Sequence, residues 1–270
     1  MRRDDSVRSV TAGLSGSTTA PLSAPPRKAT MTKASALPSA THPAVLIFDV
    51  NETLLDIEAL HPLFVRVFGC EHSVREWFNT LVMYSMTVTL ARQYEDFFAL
   101  ARGVFQMMSQ VHGRSITEHD LEELGYLVRT MPAHSDVEPT LKMLSEAGFR
   151  LVTLTNSPVA HGARSPLDAA GLTRYFERQF SVDDCRAFKP SPVVYQMVAQ
   201  QLCADPAAFR MVAAHVWDTI GAQSAGMYGA LVTRKGNAPL RVSSLPQPHI
   251  IADELVALAS RLIARWQLKP

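Results

Sequence analysis

Apolar residues fall along this chain in two rhythms. Ala44-Val45-Leu46-Ile47-Phe48 is an unbroken apolar run, and Asp49 stops it. Such a run fits a strand buried on both faces, as in a parallel sheet. From about 60 to 131 the spacing is helical: Trp77, Leu81, Tyr84 and Val88 recur every three or four positions, as do Phe97, Leu100, Val104 and Met107. This is the stripe of an amphipathic helix, and no strand pattern interrupts it. Beyond it the two rhythms alternate. A helix is predicted over 137–147, with Gly148 as its C-cap, then a strand over 150–154. A helix over 159–170, a short strand around Phe180 and a helix over 193–202 follow. The pattern continues with a strand over 211–214, a helix over 219–226 and a strand over 229–232. The last helix, over 251–266, sets Leu255, Leu258, Leu262 and Trp266 on one stripe. Alternating β and α units predict an α/β fold, a doubly wound, Rossmann-like parallel sheet. Its core segments are 44–59 and 132–270, and the all-helical block 60–131 is an inserted cap. Right-handed crossovers with short connections make that topology economical.

Composition narrows the classes. Of 270 residues, 47% are hydrophobic and 19% charged, which excludes a wholly disordered or fibrous chain. Lys and Arg number 26 against 25 Asp and Glu, a net charge of +1. That balance supplies no attraction for nucleic acid or an anionic membrane surface. No run of about 18 apolar residues offers a membrane-spanning helix. Cys70, Cys185 and Cys203 are scattered, without zinc-type spacing, and point to a reducing, cytoplasmic setting. Residues 1–43 are rich in Ser, Thr, Ala and Pro and hold few large apolar side chains. They read as a disordered tail, since little apolar burial would offset the entropy of ordering them. An organelle transit peptide, or a start at Met31, is the alternative reading of this segment.

In open α/β sheets ligands bind beyond the carboxyl ends of the strands, so polar residues that directly follow apolar runs are the candidates. Asp49 follows the first run, with Thr53 close behind; Thr155-Asn156 follows 151–154. Lys189 lies in the loop 185–190, and Asp218 closes the segment Val212-Ala213-Ala214-His215-Val216-Trp217. Singly, each has a structural reading: Asp49 and Asp218 as helix N-caps, Thr155-Asn156 as a turn, Lys189 as a solvated charge. Together they place two acids, a lysine and hydroxyl and amide groups around one crevice.

Phe48-Asp49-Val50-Asn51-Glu52-Thr53-Leu54-Leu55-Asp56 resembles the first motif of the haloacid dehalogenase superfamily. Thr155-Asn156, Lys189-Pro190 and Trp217-Asp218 resemble its later motifs, in order. Tyr195, the segment 215–222 and Arg234-Lys235-Gly236-Asn237 are similar to the L-2-haloacid dehalogenase branch. The resemblance implies that Asp49 is a nucleophile that displaces halide from a short 2-haloalkanoic acid and becomes esterified. It implies that Asp218 activates the water that hydrolyses the ester, and that Lys189 offsets the two carboxylates. Thr53 and Thr155 would donate to Asp49 or to the substrate carboxylate. Asn156 and Trp217 would line the halide cradle, Tyr195 would support Lys189, and the cap would exclude water. No cofactor is implied; the substrate is a small molecule, and homodimers are expected in this branch.

Two rival readings stay open: a magnesium-dependent phosphatase of the same superfamily and a non-catalytic binding protein on this fold. The phosphatases carry a second acid two residues after the nucleophile to protonate a poor leaving group. Asn51 stands at that position. The branch also carries a cap arginine directly after a tryptophan; here Trp77 is followed by Phe78, so Arg75 or Arg92 would have to substitute. Where the branch has small hydroxyl residues and an amide, this chain has Ala213, Ala214 and His215. His215 is either a packed neutral histidine or a hydrogen-bonding partner of water or substrate.

Overall fold

The computed structural model describes residues 45–158 and 165–266. The expected tail, 1–43, lies outside them. Among the described residues a single sheet has six parallel strands in the order β3-β2-β1-β4-β5-β6. These are β1 (Val45–Phe48), β2 (Arg150–Thr155), β3 (Arg178–Ser181), β4 (Phe209–Ala213), β5 (Tyr228–Val232) and β6 (Ile250–Ala252). β1 lies at the centre, with Phe48 opposite Thr153 on one side and Val212 on the other. All four of its residues are buried, as the unbroken apolar run requires. Strand order reverses between β1 and β4, the place where this architecture opens a crevice.

Between β1 and β2 the chain is helical apart from short loops: α1 (His61–Phe68), α2 (Ser73–Leu90), α3 (Phe97–Val111), α4 (Glu118–Arg129) and then α5 (Val137–Glu146). The first four form the cap. Phe64, Phe68, Trp77 and Phe105 make its aromatic centre, with Phe64 and Phe105 edge to face at 5.2 Å. The Trp77 indole donates to Ala101 O at 3.0 Å and ties α2 to α3. Thr117 caps α4 through a reciprocal pair with Asp120, which satisfies otherwise orphaned backbone donors. The cap rests on the core through Thr89, whose hydroxyl accepts from Phe188 N at 2.9 Å, and through Tyr94, stacked on Phe188 at 5.0 Å.

The second half alternates α6 (Pro166–Ala169), α7 (Pro192–Gln201), α8 (Val216–Ser224) and α9 (Leu255–Trp266) with the remaining strands. Two expectations need correction. The helix expected over 251–266 begins at Leu255; Ile250–Ala252 is instead the edge strand β6, paired with β5. Asp253 and Glu254 separate the two elements, and a three-residue strand is too short to show a period. α8 begins at Val216 rather than Thr219, so Asp218 lies in its first turn. Of the helix expected over 159–170, residues 159–164 lie outside the described residues and Pro166–Ala169 is helical. The α9 stripe of Leu255, Leu258 and Leu262 is fully buried. Among the described residues no helix is long and apolar enough to cross a membrane.

Candidate active site

Asp49 stands one residue beyond β1, where its backbone N–H still bonds Val212 O at 3.0 Å and carries the sheet register into the loop. Its two carboxylate oxygens have different partners. Oδ1 accepts from Lys189 Nζ at 2.7 Å. Oδ2 accepts from the Thr53 hydroxyl at 2.7 Å and lies 3.2 Å from His215 Nδ1. Thr53 is aimed by Ala214, whose N–H donates to its Oγ1 at 2.8 Å.

Lys189 is the hinge of the site. Its side chain is completely buried, and its three ammonium protons have three acceptors: Asp49 Oδ1, Asp218 Oδ2 at 2.7 Å and Leu154 O at 3.0 Å. Burial alone would discharge this lysine, but the two carboxylates outweigh it and hold its pKa above the ordinary value. Trp217 covers the ammonium, with 5.6 Å from Nζ to the ring. The backbone N–H of Lys189 is fixed by Asn156 Oδ1 at 3.1 Å.

Burial raises Asp49, yet Lys189 and His215 outweigh it and hold the carboxyl well below the usual carboxylate range. Asp218 goes the other way: burial and the charge of Asp49 push it up, against the pull of Lys189 and Tyr195. The environment therefore separates two acids of like chemistry, one ionised and one readier to take a proton. Tyr195 donates to Asp218 Oδ1 at 2.5 Å, so its support of Lys189 is indirect, through the carboxylate they share. Burial and Asp218 raise the phenol well above its ordinary pKa and keep it a donor.

Thr155 stands apart from the cluster. Its Oγ1 accepts from Ser157 N–H at 3.0 Å and closes the turn after β2, and among the described residues it has no hydrogen bond to Asp49. Asn51 donates its amide to Ser157 Oγ at 3.4 Å, and the Ser181 hydroxyl holds Ser157 O at 3.0 Å. Phe78, in the position where the resemblance implies an arginine, stacks on His215 at 5.5 Å. Arg75 does not stand in for that arginine at an open pocket: it pairs with Glu52 and donates to Lys235 O at 3.3 Å. Arg92 is exposed just past the end of α2.

Glu52, Ser157 and Asp136 escaped the sequence reading. Asp136 takes both terminal nitrogens of Arg234 at 2.8 Å, while Arg234 donates to Thr53 O at 3.0 Å and so braces the loop after β1. Glu52 was visible inside the first motif as an acid between Asn51 and Thr53. Only its partner His215, far along the chain, gives it meaning.

The donor set does not suit magnesium. Both oxygens of Asp218 are taken by Lys189 and Tyr195, a buried ammonium fills the space between the two acids, and Asn51 offers an amide committed to Ser157. Among the described residues no three His, Cys, Asp or Glu side chains are grouped as metal ligands. Magnesium needs several oxygen ligands in near-octahedral array.

A carboxylate on the loop at the end of the central strand, a buried lysine from a later loop and an acid after β4 define one class of protein. The chain belongs to the haloacid dehalogenase-like hydrolases, whose family pattern matches residues 43–226. Among relatives, (S)-2-haloacid dehalogenase 1 of Pseudomonas sp. (strain CBS-3) is 30% identical over 221 residues, covering 80% of this chain and 96% of the relative. (S)-2-haloacid dehalogenase 4A of Burkholderia cepacia is 27% identical, covering 72% and 84%. In structure the chain is similar to the L-2-haloacid dehalogenase of Xanthobacter autotrophicus with chloropropionic acid covalently bound. That likeness has a TM-score of 0.73 at 22% identity and covers 83% of this chain and 99% of that one.

Proposed function

We propose that this chain releases halide from short 2-haloalkanoic acids and yields 2-hydroxy acids through an ester on Asp49. The observation that carries the reading is the buried ammonium of Lys189 held between Asp49 and Asp218, each at 2.7 Å. One cation between two acids lets both stay ionised where like charges would otherwise share a proton. Asp49 then attacks the carbon that bears the halogen, a carbon–oxygen bond forms, and halide departs with the bonding pair. Halide needs no proton, which agrees with an amide rather than an acid at Asn51. Water adds to the Asp49 carbonyl carbon as Asp218 takes a proton from it, the task for which a raised carboxyl pKa is suited.

Thr53 steadies the nucleophile, Tyr195 steadies the base, and Asn156 and Trp217 border the halide. The aromatic cap excludes water during displacement. A cofactor-free reaction, a small-molecule substrate, a homodimer and a cytoplasmic setting belong to the same reading. Magnesium-dependent phosphate release is the rival, and the donor set speaks against it. A single turnover in heavy-oxygen water tests the proposal, with enzyme in excess over 2-chloropropionate and mass analysis of the peptide that holds Asp49. Label in the Asp49 carboxylate is expected. Label only in the product means direct attack by water and rejects the ester. Halide release is expected to be unchanged by EDTA.

A further inference from the structure

Both ring nitrogens of His215 face carboxylates. Nδ1 lies 3.2 Å from Asp49 Oδ2, and Nε2 lies 2.7 Å from Glu52 Oε2. A neutral imidazole has one donor and one acceptor nitrogen, whereas an ionised carboxylate only accepts. Only the imidazolium satisfies both contacts together. The ring also lies flat between two aromatic faces, Trp217 at 4.8 Å and Phe78 at 5.5 Å, which favour a cation.

Glu52 is buried, and its other oxygen is taken by the Arg75 guanidinium from α2. Its backbone has φ of +62°. A side chain larger than glycine seldom occupies that region, and where surrounding structure enforces it the site is often a functional one. The chain Asp49–His215–Glu52–Arg75 thus runs from the reacting carboxylate to the cap, and the mechanism above uses neither of its last two members.

We propose that Glu52, steadied by Arg75, is a positioning residue that keeps the His215 imidazole a donor on Asp49 Oδ2, so that His215 and Thr53 together form the oxyanion hole for hydrolysis of the Asp49 ester. The proposal rests on the ester reading. Oδ1 forms the bond to the substrate carbon, and Oδ2 remains the carbonyl oxygen. Water adds its oxygen to the Asp49 carboxyl carbon and gives one proton to Asp218, while the carbonyl pair moves onto Oδ2 between the Thr53 hydroxyl and His215 Nδ1–H. The pair then returns, the bond from that carbon to Oδ1 breaks, Oδ1 departs with the substrate carbon as an alkoxide, and the alkoxide takes the proton from Asp218. The remaining hydroxyl proton leaves to solvent as the carboxylate re-forms. Preorganised donors aimed at such an oxygen are a large source of catalysis.

The charges around His215 are consistent with this role. Asp49 and Glu52 touch it, Lys189 and Asp218 lie beyond Asp49, and Arg75 lies beyond Glu52. His134 Nε2 stands 3.1 Å from Glu52 O, and the Arg234–Asp136 pair sits behind Thr53. Burial alone would lower the imidazole, but the two carboxylates outweigh it and push its pKa up to about 9.

The test compares wild type with Glu52→Gln in two measurements. Nitrogen NMR of labelled histidine is expected to show a His215 imidazolium at neutral pH in the wild type, titrating at lower pH in Glu52→Gln by about one unit or more. Single turnovers of 2-chloropropionate are expected to show a larger loss in hydroxy-acid formation, about 10- to 100-fold, than in halide release, with the Asp49 adduct accumulating. A neutral His215 in the wild type, or an equal effect on both steps, overturns the proposal. Should Glu52→Gln not fold, Arg75→Met leaves Glu52 in place and is expected to shift both readouts in the same direction. No halide from the wild type would reject the ester reading and the oxyanion assignment with it; an unshifted His215 titration rejects the Glu52 assignment alone.

Discussion

Lys189 reaches Asp49 as a wholly buried cation, Nζ to Oδ1 2.7 Å, and the same ammonium holds Asp218. Lys189→Met would leave two buried carboxylates facing each other without a cation. Breaking a buried ion pair on one side costs about 3–5 kcal/mol. The variant is expected to lose that much stability in urea unfolding and about 1000-fold or more in halide release. Adding Asp218→Asn is expected to restore part of the stability and none of the activity. A Lys189→Met protein as stable as wild type would show that the lysine does not hold the acids ionised.

Stability should also record the charge on His215. Its pKa is raised from 6.5 in the unfolded chain to about 9 in the folded one. A group raised on folding stabilises fully below its unfolded pKa, and the contribution fades as pH rises through the folded value. For this buried ring the contribution is about 3 kcal/mol. Urea unfolding at several pH values between 6 and 10 is expected to show that loss in the wild type. His215→Gln should remove that part of the slope, and the difference between the two proteins isolates the imidazole from other groups that titrate in this range.

Much of this architecture was legible, and the reasons are local. A strand buried on both faces is an apolar run that ends where the chain meets the crevice, so Asp49 marked itself by stopping 44–48. Thr53, Lys189, His215 and Asp218 gather around that position as the motif order implies. What stayed hidden depends on contacts across the chain. Glu52 gains its role from His215, 163 positions later. Arg75 reads as a stand-in for the cap arginine until the structure pairs it with Glu52. Thr155 turned inward to its own turn, because a hydroxyl two residues before an N–H competes well for it. β6 merged with α9 since Ile250-Ile251-Ala252 is too short to show either rhythm.

Gly221 received a physical reason only from the structure. A Cβ there would come within 2.7 Å of Pro190 O and of both Cε2 and the hydroxyl of Tyr195. α8 therefore passes close to the loop that carries Lys189. Gly221→Ala is expected to push Tyr195 away from Asp218 and to cost about 1–3 kcal/mol of stability, the range for overpacked interiors. Thermal unfolding and initial rates check this together. Tyr195→Phe removes the hydroxyl contact without crowding, so it should lower activity with a smaller stability loss than Gly221→Ala. The opposite ordering would place the glycine's importance elsewhere.

Asn156 allows the halide cradle to be tested through KM, with stability measured beside it. Its Oδ1 accepts from Lys189 N–H at 3.1 Å, so the other end of the amide, Nδ2, is the donor available to an anion. Asn156→Asp keeps an acceptor for the Lys189 backbone and replaces the donor with a negative charge. Asn156→Ala removes both. If the amide borders the substrate, Asn156→Asp should raise KM for 2-chloropropionate by about tenfold or more, since each lost charge-assisted contact is worth about 1.5–3 kcal/mol, and its buried carboxylate should cost stability too. Asn156→Ala should lose stability as well, by about 1–3 kcal/mol, because the buried Lys189 N–H is left without its acceptor. Equal KM in Asn156→Asp and wild type would move the halide to another wall of the crevice and leave Asn156 as a fastening for the Lys189 loop.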